Sequence, residues 1–261
     1  MDQGLKRFIR SLFPTKVAAH RVLGGPLRGA RIVTSWHDYP AAILGRTEKE
    51  LLGWFQHNVS AGETWLDVGA HYGYTALALC RLVGPNGRVF AFEPMLRTAG
   101  SVTETRRVNA ARQLTVIPMG LGAPEQDLAG IELPVERGMA DSTISKNGWS
   151  EALLVTSLDW LWPRISGANT RIDGVKIDVQ GMEIQALRGM LQTLRAWRPR
   201  LVIELHHGVD RQEFRSVLRE AGYPFDGSPL EHDANVSEYL DDCSYAFLPK
   251  VEKAARVYSQ V

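Results

Sequence analysis

LDVGAHYGYTALAL, residues 66 to 79, passes from an apolar run through a turn bounded by Gly69 and Gly73 into a second apolar run. A short buried strand, a glycine turn and a helix make the opening unit of a parallel α/β sheet. The turn has the outline of a nucleotide-binding loop, but the middle glycine is absent and His71 stands there.

Outward from this unit, similar apolar runs predict strands at 64 to 68, 88 to 92, 114 to 118, 173 to 178 and 200 to 205. Runs of this kind suit strands covered on both faces. Helices are expected near 73 to 83, 95 to 110, 181 to 196 and 209 to 221. Ile131 to Val135 and Leu153 to Thr156 read as extra strands, and a last strand lies near Tyr245 to Leu248. Toward the N-terminus, residues 29 to 34 read as a strand and 47 to 58 as a helix, with Thr47 and Glu50 forming a capping box. The expected division is an extension of residues 1 to 60 packed on a core of 61 to 261.

Hydrophobic residues make up 44% of the 261 and charged residues 23%, ordinary globular usage. A net charge of +1 gives no electrostatic case for nucleic acid, so a small molecule is the expected partner. Cys80 and Cys243 stand apart without metal-ligand spacing, which fits a reducing cytoplasm. No apolar run approaches the roughly 20 residues of a membrane span. Leu5, Phe8, Ile9 and Leu12 share one helical face opposite Lys6, Arg7 and Arg10. Residues 5 to 12 could therefore rest weakly on an anionic membrane surface, or pack on their own domain or on a second subunit in a homodimer.

Ligands of open α/β sheets bind beyond the carboxyl ends of the strands. Those ends carry Asp67 with the Gly69 to Gly73 turn, Glu93, Asp178 with Gln180 and Gly181, and Glu204 with His206 and His207. A purely structural strand-to-helix turn would also explain the two glycines. Glu93, 20 residues after Gly73, adds a carboxylate at the distance suited to ribose hydroxyls. His is among the residues that tolerate positive φ, so a backbone role explains His71 first. Asp67 beside the turn disfavours a pyrophosphate and, with it, a nicotinamide dehydrogenase. S-adenosylmethionine has a ribose, no phosphate, and cationic groups that Asp67 and the rings of Tyr72 or Tyr74 could meet.

WLDVGAHYGYTALAL, VFAFEP, TSLDWL, VKIDVQGMEIQALRG and RPRLVIELH, in that order across residues 64 to 206, resemble the FkbM-like S-adenosylmethionine-dependent methyltransferases. The resemblance implies a class I methyltransferase fold, a Rossmann-like α/β sandwich on a mostly parallel seven-stranded sheet whose last strand is antiparallel. It also implies O-methylation of a hydroxyl on a sugar, polyketide or similar metabolite. Carried over by motif, Asp67, Gly69, Gly73 and Glu93 contact the cofactor, while Asp178, Gly181 and Glu183 lie beside the reacting centre. His71 departs from the asparagine expected in the family's turn, which leaves its side-chain contacts open.

Methyl transfer to a hydroxyl needs alignment and a general base. His206 is favoured over His207, with Asp178 as a second base, and each His could equally satisfy local backbone. Asp178 and Glu204, with a histidine, could instead hold Mg²⁺. Glu183 could be a solvated first-turn acid. Lys176 is the available partner for Asp178, Asp159 reads as a helix cap, and Gln180, Ser142 and Trp149 are expected near cofactor or substrate. The competing function is a non-catalytic scaffold or membrane-peripheral accessory that keeps the fold.

Overall fold

The computed structural model describes residues 13–126, 129–136, 139–140, 150–167, 170–231 and 238–249. The amphipathic stretch of residues 5 to 12, Ser142 and Trp149 lie outside the described residues. The chain opens with a hairpin of β1 (Ala18–Arg21) and β2 (Arg31–Thr34), followed by α1 (Pro40–Leu44) and α2 (Lys49–Asn58). β3 (Thr64–Val68), α3 (Tyr74–Val83), β4 (Arg88–Phe92), α4 (Leu96–Val108) and β5 (Leu114–Ile117) then alternate. β6 (Gly120–Leu121), β7 (Ala129–Glu136), β8 (Met139–Ala140) and β9 (Ser150–Thr156) form a separate small sheet. The rest is α5 (Leu158–Ile165), β10 (Gly174–Ile177), α6 (Glu183–Arg188), α7 (Leu191–Trp197), β11 (Arg200–Leu205), α8 (Arg211–Glu220), β12 (Ser228–Pro229) and β13 (Cys243–Phe247).

The main sheet has seven strands in the order β12-β13-β11-β10-β3-β4-β5. β5, β4, β3, β10 and β11 run parallel, and β13 returns antiparallel beside β11, as expected. Side chains of a strand alternate between faces, so two cores form. Leu66 and Val68 join the one packed by α5 to α8, and Trp65 joins the one packed by α2 and α3. Trp65 fits because its partner across the ladder is Gly174, where a Cβ would stand 2.3 Å from the indole. Burying such a side chain contributes about 1.5–3 kcal/mol.

Two local expectations are corrected, and one strand was not foreseen. The helix expected over 181 to 196 is two helices, because Gly189 packs so closely on the Gly122 carbonyl that a Cβ would be 1.8 Å from it. Asp159 then caps α7 from α5, accepting from the amides of Gln192 and Thr193 at 2.8 Å each, an N-cap bond of about 0.5–2 kcal/mol. The Thr47 capping box is absent, since α2 starts at Lys49 with Glu48 left-handed at the cap and no side chain closing it. β1 was missed because AAHR is too short to show a period. No helix among the described residues is long and apolar enough to cross a membrane.

Candidate active site

The turn after β3 is built from its own residues. Gly69 and Ala70 both donate their amides to the Phe92 carbonyl at 3.0 Å, which pins the turn to the end of β4. Gly69 has φ +80°, and a Cβ there would be 1.8 Å from the Asp178 carbonyl oxygen, so only glycine lets the end of β10 approach. His71 has φ +50°, the positive φ expected of it. Its amide donates to Glu93 Oε2 at 2.7 Å. Glu93 Oε1 accepts from the Met95 amide at 3.1 Å and the Thr98 hydroxyl at 2.8 Å. Burial nevertheless pushes the Glu93 carboxyl up to about 7, the three hydrogen bonds pulling the other way.

Asp67 is closed to solvent, and its Oδ2 accepts from the Thr75 hydroxyl at 2.6 Å. Opposite it in the ladder stands Lys176, whose Nζ lies 3.2 Å from Asp67 Oδ1 and 3.3 Å from Asp178 Oδ2 and donates to the Gly69 carbonyl at 3.0 Å. Burial works against the ammonium, but Asp67 and Asp178 overcome it and raise its pKa. Asp67 therefore meets a lysine inside the protein. Tyr72 and Tyr74 are both core residues, and the Tyr72 hydroxyl donates to Asp38 Oδ2 at 3.0 Å. Arg97 reaches the same oxygen at 2.9 Å, which fastens the N-terminal segment to α4.

Beyond β10 and β11 a second group closes around His206. Its Nδ1 is 2.7 Å from Oε1 of the fully buried Glu183. Its Nε2 lies 2.8 Å from the Gln180 amide, 3.5 Å from Asp178 Oδ1 and 3.6 Å from Glu204 Oε1. Asp178 and Glu204 are each 24% exposed at the side chain, so the Nε2 side faces the partly open edge beyond β10 and β11, the mouth of the group. Burial opposes a charge on His206, but Glu183 and Asp178 outweigh it and its pKa is pushed up to about 9. Burial and the neighbouring Asp178 raise Glu204 to about 8. Burial resists ionisation of Asp178 as well, yet Lys176 and His206 hold its carboxyl below the usual range. His207, next along the chain, points the opposite way, is 86% exposed and pairs with Asp241 at 2.9 Å. The chain turns just after β11, with the Val209 amide donating to the His206 carbonyl at 3.4 Å, and this keeps His207 out of the group that contains His206.

Two residues escaped the sequence reading. Tyr39 brings its ring within 5.1 Å of the His71 ring, and its hydroxyl lies 3.3 Å from Thr47 Oγ1. Glu48 follows Thr47, and burial and the charge of Asp178 raise its carboxyl to about 7. The cap reading of this stretch used Thr47 and Glu50 and gave Glu48 no role. Asp178, Glu204 and His206 each offer one ligand atom, all within 4.8 Å of one another. A cavity of about 520 Å³ among Arg88, Phe90, Arg112 and Ile165 holds none of these residues.

The family model described as the methyltransferase FkbM domain matches residues 67–225. A hexuronic acid methyltransferase of Haloferax volcanii, AglP, is 29% identical over 191 residues, which span 72% of this chain and 74% of that protein. Among solved structures, an FkbM methyltransferase of Methylobacillus flagellatus aligns with TM-score 0.49 and 17% identity over 75% of this chain. The chain spans 50% of that structure's length. Aeropyrum pernix fibrillarin, solved with natively bound S-adenosyl-L-methionine, aligns with TM-score 0.49 and 14% identity over 89% of this chain and 87% of its own.

Proposed function

The chain belongs to the FkbM methyltransferase domain family, and from that premise we propose that it is an S-adenosylmethionine-dependent O-methyltransferase acting on a hydroxyl of a sugar-type acceptor. The observation that carries this reading is the position of His206. Its Nε2 stands at the carboxyl ends of β10 and β11, joined through Asp178 and Lys176 to the carbonyl of Gly69 in the turn after β3. A cofactor turn and a base thus share one edge of the sheet.

The residues present fit such a cofactor. Asp178 and Glu204, with Glu48 near enough to feel the charge of Asp178, put carboxyl groups at the mouth, which suits a ligand without phosphate. The turn residues Gly69 to Gly73 would hold it, with Glu93 fixing their shape through the His71 amide. When bound, the cofactor supplies an electrophilic methyl group on a sulfonium. The chain must orient the acceptor, exclude water and take its hydroxyl proton. His206 Nε2 is the atom placed to accept that proton, and Asp178 and Glu204 stabilise the imidazolium that results. The relationship to a hexuronic acid methyltransferase supports a sugar as the acceptor class.

The test is release of S-adenosylhomocysteine from S-adenosylmethionine with a panel of hexuronic acids, neutral sugars and phenols. Turnover with a hydroxyl compound, lowered about 100-fold or more in His206→Ala with cofactor affinity kept, is the expected result. Cofactor binding without turnover on any acceptor would leave a non-catalytic scaffold.

A further inference from the structure

We infer that Glu183 is the positioning residue of His206: its buried carboxylate fixes which imidazole nitrogen faces the acceptor. The inference rests on the reading of His206 as the base. Glu183 is the first residue of α6, and its side chain folds back under the loop that leaves β10. Its Oε1 accepts from the Gly181 amide at 3.1 Å and stands 2.7 Å from His206 Nδ1. The bend that permits this uses two left-handed residues, Gln180 at φ +53° and Gly181 at φ +94°. Glu183 is wholly buried, and Oε2 has no hydrogen-bond partner among the described residues. A carboxylate in that position is costly unless a donor holds its charge, and the nearest donor is the Nδ1–H of His206.

An acceptor-only carboxylate at Nδ1 requires a proton on that nitrogen. The neutral ring is then the Nδ1–H form, and its free lone pair is on Nε2, facing Asp178, Glu204 and the mouth. Gln180 closes the arrangement. Its amide sits 2.8 Å from Nε2, and because an amide can turn either its N–H or its oxygen to the ring, it can pair with Nε2 before and after proton transfer. The place that Gln180 occupies is where an acceptor hydroxyl would donate. Glu183 therefore acts through His206 and touches no reactant.

Glu183→Gln keeps the volume but lets the side chain offer either a donor or an acceptor to Nδ1. In this variant turnover should fall at least 10-fold, while S-adenosylmethionine affinity and acceptor KM stay within about twofold. Glu183→Asp should lose turnover as well, because the shorter chain leaves Nδ1 out of reach. The readout independent of any acceptor is the ¹⁵N resonance pattern of His206 in the full-length protein at alkaline pH, where the ring is neutral. A protonated Nδ1 and bare Nε2 in the wild type, giving way to a mixture in Glu183→Gln, is the expected result. A protonated Nε2 in the wild type, an unchanged pattern in Glu183→Gln, or full turnover in that variant would each overturn the assignment. Full turnover in His206→Ala would instead remove the base role from His206, and the resonance pattern would still report on Glu183 alone.

Discussion

Lys176 and Asp67 face each other across the β3–β10 ladder, their charges 3.2 Å apart and both almost wholly buried. Such a pair stabilises little in net terms, because both ions lose water, but removing one partner leaves the other charge stranded. Lys176→Met should therefore destabilise the protein by about 3–5 kcal/mol, measured as a fall in denaturant midpoint. Lys176→Met combined with Asp67→Leu should recover much of the loss; a double variant as unstable as the single one would show that the ion pair itself is required.

Gly69→Ala should cost more than about 2 kcal/mol, because the position has φ +80° and the added methyl would meet the Asp178 carbonyl at 1.8 Å. Cofactor affinity should fall with it, since the turn can relieve the clash only by moving off β10. Calorimetric titration with S-adenosylmethionine beside a thermal melt measures both effects. An alanine variant with wild-type stability would mean that β10 can yield at its end.

The stability of the protein should fall with pH through Glu93. Its folded pKa of about 7 lies above the ordinary carboxyl value, so the stability it contributes is present below about pH 4.5 and is lost as pH rises to 7. At about 1.4 kcal/mol per unit, about 3 kcal/mol is at stake. Glu93→Gln removes the titration, so the difference between the wild type and this variant should shift in favour of the variant between pH 4.5 and 7 and stay flat above. A constant difference across that range would place Glu93 in an ordinary ionised state.

Turnover should rise on going from pH 7 to pH 9, because His206 must lose its proton to act and its neighbours raise its pKa to about 9. Chelation should leave turnover unchanged. Lys176 already compensates Asp178, and His206 compensates Glu204, so the acidic mouth has no need of Mg²⁺. A loss of turnover with chelator that Mg²⁺ restores would assign Asp178 and Glu204 to a metal.

The five parallel strands and the helices near 73 to 83, 95 to 110 and 209 to 221 were legible in the sequence by itself, because the apolar period that marks a strand or helix is a local property. TWLDV, RVFAF and RLVIEL formed strands over the residues expected of them. The glycine turn, the acid after β4 and the positive φ of His71 could be read the same way, since glycine spacing and backbone tolerance need no partner. Tertiary structure alone decided what those residues touch. Asp67, read as a ligand for a cation, is held by a lysine 109 positions further on, which β10 brings into register. His206 and His207 are neighbours of one residue type, and only the turn after β11 and the buried Glu183 separate them. Glu48 comes within electrostatic reach of Asp178 only because the N-terminal segment folds over the turn. Local periodicity is written in consecutive residues. Charge pairing depends on which strands lie side by side, and that is settled only when the sheet is assembled.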